Sequence, residues 1–239
     1  MSIFTGNFWA KIMNQPESAV HSLQQEYDRL YQQAPIRDED RAYRWHAQTV
    51  QRYQPTAQTL LDIACGGGYF LREYLKLRPS SVDLHGTDLS GEALAIAKKE
   101  CPEGRYVMAC AEKLPYRDQY FDAVTCLGSL EHFLDIPAAV SEMKRVARDQ
   151  AVFYILVPNL FWYKDMVSVI LTGGRLTRNQ THERFHSRKE WEEILTSAGL
   201  KIQTVLKYNG IAKQPAKQSL KDLLIPLNIS YHFAFICRK

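Results

Sequence analysis

A glycine-rich turn directly after a short apolar run constrains the fold of this chain more than any other feature. Residues 60–68 have the sequence Leu-Leu-Asp-Ile-Ala-Cys-Gly-Gly-Gly. An apolar run that ends in small residues is typical of a buried parallel strand turning into a helix. Glycines permit backbone angles that a Cβ forbids, and they let a ligand approach the main chain. Ligands of open α/β sheets bind at the carboxyl ends of strands, so this turn predicts a binding site.

Strand-like and helix-like segments alternate downstream of this turn, which predicts a parallel sheet with right-handed crossovers. The predicted strands are 59–64, 82–87, 105–109, 121–126, 150–157, 201–208 and 230–237, and the predicted helices between them are 69–77, 90–97, 135–148 and 187–198. The fold class is therefore α/β, with a Rossmann-like, seven-stranded, mostly parallel sheet and helices on both faces.

Two segments outside this alternation are predicted to cover the sheet. Residues 18–32 and 38–53 have apolar and aromatic residues at helical spacing, and they predict an N-terminal helical cover. An aromatic and apolar stretch at 160–171 predicts an inserted helix or lid after the fifth strand. Four aromatic residues of the N-terminal helices are predicted to be core residues, with a pocket role as the alternative: Tyr27, Tyr31, Tyr43 and Trp45.

The length of 239 residues suits one domain with elaborations. Within it we distinguish a cover (1–57), a cofactor-binding core (58–158), a lid insertion (159–186) and a C-terminal helix with two strands (187–239). The net charge of +4 comes without a dense basic patch, which argues against nucleic-acid binding. No apolar run approaches the roughly 20 residues that a membrane span needs, and the N-terminus does not resemble a signal peptide. We expect a cytoplasmic protein.

The five cysteines are scattered and include no C-x-x-C pair. This pattern argues against a disulfide framework and against a zinc site. Two histidines in the segment 181–187 are too few to predict any other metal. A reducing compartment and a protein without a metal are therefore expected.

An acidic residue, Asp88, ends the second predicted strand about 20 residues after the glycine turn. A carboxylate at this place in nucleotide-binding α/β folds accepts hydrogen bonds from ribose hydroxyls, and its charge strengthens each bond. The alternative is an acid that only interacts with the dipole of the following helix. The upstream turn favours the ribose role.

Five segments in order make the chain resemble the class I S-adenosylmethionine-dependent methyltransferases. They are residues 61–68 and 86–90, followed by 111–116, 121–124 and 130–133. The resemblance is closest to the small-molecule branch that includes ubiquinone and menaquinone methyltransferases. It covers approximately residues 59–159 well, and 183–200 and the last strand more weakly. Any one motif is weak, whereas all of them in the right order and spacing are specific.

The resemblance implies S-adenosyl-L-methionine as cofactor and assigns residues to its parts. The methionine part of the cofactor would contact Asp62, Ala64, Cys65, Gly66 and Gly68. The ribose would bind Asp88, the adenine would lie against Leu89, and the edge of the adenine would lie near Cys110, Ala111 and Glu112. Leu127 and Gly128 would line the binding site at the reactive end of the cofactor. Cys110 departs from the family pattern, because many relatives have there an aspartate that accepts the adenine amino group. Ala64 replaces a commoner glycine, a change that we expect to be mild. The segment 148–151 lacks the usual Pro-Gly-Gly turn.

The spacing of the glycines argues against a dinucleotide site, which needs G-x-G-x-x-G for a pyrophosphate. In this chain Ala64, Gly66 and Gly68 are spaced one residue more tightly, and Asp62 precedes them. A carboxylate suits a ligand with an ammonium and a sulfonium and would repel a pyrophosphate.

His132 is the best candidate for a catalytic base, because it follows the fourth strand and its ordinary pKa is near 6.5. The alternative is a structural role in organising the loop after that strand. Acceptor binding is predicted for the aromatic lid segment and the cluster after it, at Phe161, Trp162, Tyr163 and His182. The cluster 181–187 also suits packing or a lid.

These observations predict an enzyme that transfers a methyl group to an oxygen or nitrogen of a small, hydrophobic or aromatic metabolite. The only partner expected is this small molecule, and the protein is expected to be a monomer or homodimer. Two alternatives stay open: a methyltransferase-like protein that binds the cofactor without turnover, and a nicotinamide-dependent oxidoreductase.

Overall fold

Seven strands form one mixed sheet in the computed structural model, which describes residues 17–34, 36–78, 82–173, 183–210 and 223–239. The strands are β1 (Thr59–Ile63), β2 (Asp83–Asp88), β3 (Arg105–Met108), β4 (Phe121–Leu127), β5 (Ala147–Pro158), β6 (Lys201–Tyr208) and β7 (His232–Arg238). Their order is β3-β2-β1-β4-β5-β7-β6, and β7 is antiparallel to both of its neighbours. The order reverses between β1 and β4, which is where such sheets open a crevice for a ligand. The predicted fold class is confirmed.

The described helices flank the sheet and precede it. They are α1 (Glu17–Gln33), α2 (Asp40–Tyr53), α3 (Tyr69–Leu77), α4 (Gly91–Glu100), α5 (Ile136–Val146), α6 (Tyr163–Thr172) and α7 (Arg188–Ser197), with short 3-10 helices at Leu130–His132 and Leu227–Ile229. None of the helices in the described part of the chain is long and apolar enough to cross a membrane.

Two apolar layers cover the two faces of the sheet. Every residue of β1 is buried. Its consecutive residues Leu60 and Leu61 belong to different layers, because successive side chains of a strand point to opposite faces. Trp191 of α7 is fully buried in one layer, and its indole N–H donates to the carbonyl of Pro158 at 3.0 Å. The rigid sheet therefore fixes the carboxyl ends of β1, β2 and β4.

Side-chain caps explain where several helices begin. The hydroxyl of Ser90 accepts the Ala93 N–H at 3.1 Å, as predicted for the start of α4. Ser187 and Glu190 form a reciprocal capping box at the start of α7. The predicted start of β5 at residue 150 was wrong. The strand begins at Ala147 because this residue pairs with Phe121, ahead of a bulge in the ladder.

The inserted segment after β5 forms a helix, α6, as predicted. None of its residues is buried, and Ile170 and Leu171 are 76% and 78% exposed. Residues 174–182 of the predicted lid, including His182, lie outside the described residues. A lid role for this insertion stays a prediction.

Candidate functional site

A cavity of about 170 Å³ lies at the carboxyl ends of β1, β2 and β4. One wall is built from the turns after these strands, and the facing wall comes from α1, α2 and the segment between them. The first wall comprises Asp62, Ile63, Ala64, Cys65, Gly66, Gly67, Tyr69, Phe70, Asp88, Leu89, Ala109, Cys110, Ala111, Glu112, Leu127, Gly128, Ser129, His132, Phe133 and Leu134; the second comprises Val20, Leu23, Tyr27, Tyr31, Ile36 and Tyr43.

The glycine turn has a left-handed backbone at alternate residues. The φ angles are +53° at Ala64, +52° at Gly66 and +72° at Gly68. Glycine adopts such angles freely, whereas the left-handed conformation of an alanine costs roughly 1–2 kcal/mol. The substitution of Ala64 for the usual glycine is therefore a strained feature, which corrects our expectation of a mild change. Gly68 does not line the cavity; it precedes α3 and packs closely on Ala97.

Asp62 lies next to the last residue of β1, and its carboxyl group is buried at the cavity wall. The hydroxyl of Thr125 on the neighbouring strand β4 donates to its Oδ1 at 2.6 Å. Burial raises the pKa of Asp62 to about 7, although the bond from Thr125 lowers it and the charge of Asp88 raises it further. A buried acid of this kind gains from a cationic ligand. Sequence reasoning missed Thr125, because the register of β1 with β4 is a long-range property.

Asp88 connects the end of β2 to the glycine turn. Its Oδ2 accepts the Gly66 N–H at 2.8 Å, and its Oδ1 accepts the Ser90 N–H at 2.9 Å. Burial raises its pKa above the ordinary value, while these two bonds lower it. Each carboxylate oxygen has a second lone pair, so the side chain can still accept a further hydrogen bond at each oxygen.

Two side chains that follow β3, those of Cys110 and Glu112, line the cavity and are hydrogen-bonded to each other. The Cys110 thiol donates to Oε2 of Glu112, and Oε1 of Glu112 accepts the Asp135 N–H at 3.1 Å. Burial, followed by the charge of Glu112, raises the pKa of the Cys110 thiol to about 12. Glu112, Ala111 and Leu89 supply polar and apolar surface to this part of the cavity.

The chain turns sharply after β4 and brings His132 to the cavity. Gly128 has a φ of +62°, and its N–H donates to Leu156 on β5 at 2.9 Å. His132 closes the 3-10 helix that follows and is 7% exposed. The turn thus places Leu127, Gly128 and His132 along one wall of the cavity.

Three tyrosines form the wall opposite the glycine turn. Tyr27 and Tyr31 extend from the same face of α1 as Val20 and Leu23, and Tyr43 comes from α2. The Tyr31 hydroxyl lies 2.6 Å from the point that a Cβ on Gly66 would occupy. Tyr27 and Tyr31 match the pocket alternative of the prediction, whereas Tyr43 lines the cavity and also packs against an apolar layer, as its predicted core role requires. Trp45 does pack away from the cavity, against Tyr208.

Hydrogen bonds fasten α1 to the start of α4 beside the cavity. Oδ1 of Asp28 accepts from the Ser90 hydroxyl at 2.6 Å and from the Glu92 N–H at 3.3 Å. The Gln32 side chain donates to Glu92 at 3.0 Å. Because Ser90 also binds Asp88, a short polar chain runs from the glycine turn to α1.

The aromatic residues predicted to bind the acceptor lie outside the described lining of the cavity. Trp162 packs against Tyr231 with ring centroids 4.5 Å apart, and Tyr163 contacts Trp162 edge-on at 6.4 Å. Phe161 is 46% exposed. Their acceptor-binding role stays a prediction, and so does that of His182, which lies outside the described residues.

The charges of the cavity favour a cationic ligand. Its described lining includes the carboxyl groups of Asp62, Asp88 and Glu112 and no lysine or arginine. A Cβ on Gly66 would collide with Tyr31, so the turn presents bare backbone to the space. These features fit a ligand with a sulfonium and an ammonium and oppose a pyrophosphate. Fold and site together define an S-adenosylmethionine-binding α/β protein of the class I type.

Comparison with known proteins agrees with this class. The family model described as a methyltransferase domain matches residues 61–155. The ubiquinone/menaquinone biosynthesis C-methyltransferase of Geotalea daltonii is 30% identical over 184 residues, which cover 68% of this chain and 78% of that protein. The ubiquinone biosynthesis O-methyltransferase of Nitrosomonas europaea is 31% identical over 169 residues, covering 65% and 70%. The chain belongs to the S-adenosylmethionine-dependent methyltransferases, and S-adenosyl-L-methionine is its cofactor.

Solved structures share the fold at lower identity. A putative methyltransferase from Haloferax volcanii, in complex with the Trm112 methyltransferase activator, superposes with a TM-score of 0.62 at 18% identity and covers 85% of this chain and 98% of its own. An S-adenosylmethionine-dependent methyltransferase from Mesorhizobium loti gives a TM-score of 0.61 at 15% identity, covering 83% and 98%. At this identity the likeness shows the fold alone.

Proposed function

We propose that the protein methylates an oxygen or nitrogen atom of a small, hydrophobic or aromatic metabolite. The observation that carries this proposal is the contrast between the two walls of one cavity. The strand wall is acidic and exposes backbone, whereas the helix wall offers three tyrosines and apolar side chains. A cofactor with an activated methyl group suits the first wall, and a flat or apolar acceptor suits the second.

The roles of the residues on the strand wall follow from their chemistry. Bound S-adenosyl-L-methionine supplies an electrophilic methyl group. In this proposal Asp62 faces the ammonium of the cofactor, and the backbone of the glycine turn faces its carboxylate. Asp88 accepts the ribose hydroxyls while it keeps its bonds to Gly66 and Ser90. Leu89, Ala111 and Glu112 surround the adenine.

His132 would accept the proton of an acceptor hydroxyl or amine. The imidazole is buried at the end of β4 and lines the cavity, so a proton removed there is shielded from bulk water. The tyrosine wall would position the acceptor against this end of the cavity. Positioning and desolvation supply most of the rate in such a transfer.

Relatives support an acceptor with a hydrophobic ring. The relative from Geotalea daltonii is named a C-methyltransferase of ubiquinone and menaquinone biosynthesis. The relative from Nitrosomonas europaea is named an O-methyltransferase of ubiquinone biosynthesis. A further relative, from Trichormus variabilis, is named a 2-phytyl-1,4-naphtoquinone methyltransferase. These names support a small ring compound as the acceptor and leave the choice of atom to experiment.

A methyl-donor assay tests the proposal directly. Purified protein is incubated with isotopically labelled S-adenosyl-L-methionine and an extract of the source organism, and the product that gains one methyl group is identified by mass. Stabilisation by S-adenosylhomocysteine without any methylated product would instead favour a binding protein without turnover. Stabilisation by NADH and not by S-adenosylhomocysteine would favour an oxidoreductase.

The proposed base is tested by the substitution His132→Ala. We expect turnover to fall by roughly 10²- to 10⁴-fold, the usual contribution of a general base, with nearly unchanged affinity for S-adenosylhomocysteine. Turnover at the wild-type level would refute the base role and leave His132 a structural residue.

A further inference from the structure

The carboxyl group of Glu131 lies directly behind two residues that line the cavity. Its Oε1 is 3.9 Å from Nε2 of His132 and 4.0 Å from the point that a Cβ on Gly128 would occupy. Gly128 and His132 both belong to the wall where β4 ends. A ligand that packs on Gly128 therefore comes close to this carboxyl group.

Glu131 has an unusual environment for an acid. The side chain is 3% exposed, and its Oε2 has no hydrogen-bond partner among the described residues. Burial raises the pKa of Glu131 to about 8, and the nearby charge of Glu183 acts in the same direction. An unpartnered buried polar group costs on the order of 1–3 kcal/mol. A ligand that brings a donor or a positive charge would remove this cost.

Backbone hydrogen bonds bring a second carboxyl group, that of Glu183, into electrostatic range of the first. The Arg184 N–H donates to the carbonyl of Glu131 at 3.2 Å, which ties the segment containing Glu183 to the 3-10 helix. The same segment continues to His186, whose carbonyl accepts the Leu160 N–H at 3.1 Å after β5. Glu131 and Glu183 therefore approach one another from two separate parts of the chain.

Arg184 follows Glu183, and its guanidinium binds backbone carbonyls. The Arg184 guanidinium donates to the carbonyls of Phe133 at 2.8 Å and of Leu134 at 3.3 Å. On the opposite wall, burial raises the pKa of the Tyr27 hydroxyl, and the charges of Asp88, Glu131 and Glu183 raise it further. The carboxyl groups of Asp88, Glu131 and Glu183 therefore lie within electrostatic range of an aromatic ring.

We propose that Glu131, together with Glu183, binds an ammonium group of the acceptor, so that the preferred substrates of this enzyme are amines with an aromatic or apolar body. The inference rests on the proposed function and narrows it. A carboxylate gives an ammonium charge-assisted hydrogen bonds, and the tyrosine ring adds a cation–π attraction. Carboxylate- or phosphate-bearing acceptors would be repelled by the same groups.

The test uses the full-length protein saturated with S-adenosylhomocysteine and a panel of paired probes. Each pair shares one skeleton and differs in its charged end: 2-phenylethylamine with 3-phenylpropanoate, tyramine with 3-(4-hydroxyphenyl)propanoate, and tryptamine with indole-3-propanoate. Binding is measured by calorimetry and by the rise in melting temperature. We expect the ammonium member of at least one pair to bind about 10- to 100-fold more tightly than its carboxylate partner, the range of a charged hydrogen bond.

The variant Glu131→Gln keeps the shape of the side chain and removes its charge. We expect it to lose the preference for the ammonium while it still binds S-adenosylhomocysteine. Glu193→Gln, on the exposed side of α7, is the matched control and should keep the preference. Because burial raises the pKa of Glu131 to about 8 and a bound ammonium favours the carboxylate, ammonium binding to the wild type should also release a proton. Calorimetry in two buffers of different ionisation enthalpy measures that proton, which Glu131→Gln should not release.

The proposal is overturned if no ammonium probe binds, if the carboxylate members bind as well or better, or if Glu131→Gln keeps the preference. A loss of S-adenosylhomocysteine affinity in Glu131→Gln would assign the carboxyl group to the cofactor instead. Failure of the proposed function is distinguishable, because it would show as no stabilisation of the wild type by S-adenosylhomocysteine.

Discussion

Asp88 illustrates how one side chain serves both the fold and the site. Its two oxygens already accept the N–H groups of Gly66 and Ser90, so it orders the glycine turn before any cofactor arrives. The same oxygens keep the lone pairs that a ribose would use. A substitution here should therefore affect the cofactor through two routes, the lost hydrogen bonds and the loosened turn.

We predict that Asp88→Ala weakens S-adenosylhomocysteine binding by roughly tenfold or more, because a charge-assisted hydrogen bond is worth about 1.5–3 kcal/mol. Isothermal titration measures the affinity. Asp83→Ala, at the opposite end of β2, is the control and should bind normally. An Asp88→Ala protein with wild-type affinity would disprove the ribose assignment.

Ala64 carries backbone strain at a position that glycine would relieve. The φ angle of Ala64 is +53°. We predict that Ala64→Gly leaves the free energy of unfolding unchanged or raises it by up to about 1 kcal/mol. The reason is that the relief of strain exceeds the effect of the added entropy of the unfolded chain. Ala64→Val should lower it by about 2 kcal/mol or more, because a β-branched residue tolerates this angle poorly. Urea unfolding measures both, and a clear loss of stability in Ala64→Gly would contradict the explanation.

At the scale of elements, helix α1 completes the site that the strands begin. Its residues Val20, Leu23, Tyr27 and Tyr31 share one face and close the cavity over the glycine turn. The periodicity of these residues predicts a helix and its apolar face, but not what that face covers, since sequence spacing carries no information on the partner. For this reason the sequence favoured the core for residues that line the cavity.

The bond between α1 and α4 can be tested without touching the cavity. Asp28→Ala removes the acceptor for the Ser90 hydroxyl and the Glu92 N–H. We expect faster amide hydrogen exchange in α1 and a roughly 3- to 10-fold lower affinity for S-adenosylhomocysteine, the effect of about one hydrogen bond. Gln25→Ala, on the exposed face of the same helix, should change neither. Unaltered exchange in Asp28→Ala would show that α1 is held by its apolar face alone.

At the scale of the whole molecule, the buried acids of the site shape the dependence of stability on pH. The folded-state pKa values of Asp62, about 7, and Glu131, about 8, lie above their ordinary values. The folded protein therefore retains protons that the unfolded chain releases near pH 4. This stabilisation is complete below about pH 4, decreases as the pH rises, and is fully lost once the pH has passed 7 for Asp62 and 8 for Glu131.

We predict that the cofactor-free protein becomes less stable from pH 6 to pH 8.5, as measured by urea unfolding at several pH values. Asp62→Asn should remove part of this loss and raise the stability at pH 8.5 by on the order of 2–4 kcal/mol, while it weakens cofactor binding. Asp149→Asn, on the surface, is the control. A wild-type stability that rises steadily to pH 8.5 would refute the buried-acid explanation.

Acid conditions act through a different part of the fold. His46 and His232 are buried, and burial lowers their pKa values to about 3 and about 4. The contribution of each neutral histidine to the free energy of unfolding is complete above about pH 6.5. It falls by roughly 1.4 kcal/mol per pH unit for each histidine as the pH drops towards its folded-state pKa. Between pH 4 and 6.5 this loss opposes the gain from Asp62 and Glu131.

The fold could be predicted from sequence to a greater extent than the site. The alternation of strands and helices is a local pattern, and the ends of α3 and β6 match their predicted positions. The contacts that give the site its chemistry are long-range. Thr125 reaches Asp62 only through the β1–β4 register, and Glu183 reaches Glu131 only through the path of the chain after β5. Neither neighbour leaves a signal in the spacing of residues.

The two walls of the cavity come from separate stretches of the chain. The strand wall lies within residues 62–134, inside the segment that the family model matches, whereas the helix wall comes from residues 20–43, upstream of it. If the helix wall binds the acceptor, as we propose, substitutions in α1 and α2 can change the acceptor while the residues of the strand wall are kept. During evolution such a protein can acquire a new substrate without losing the ability to bind its methyl donor.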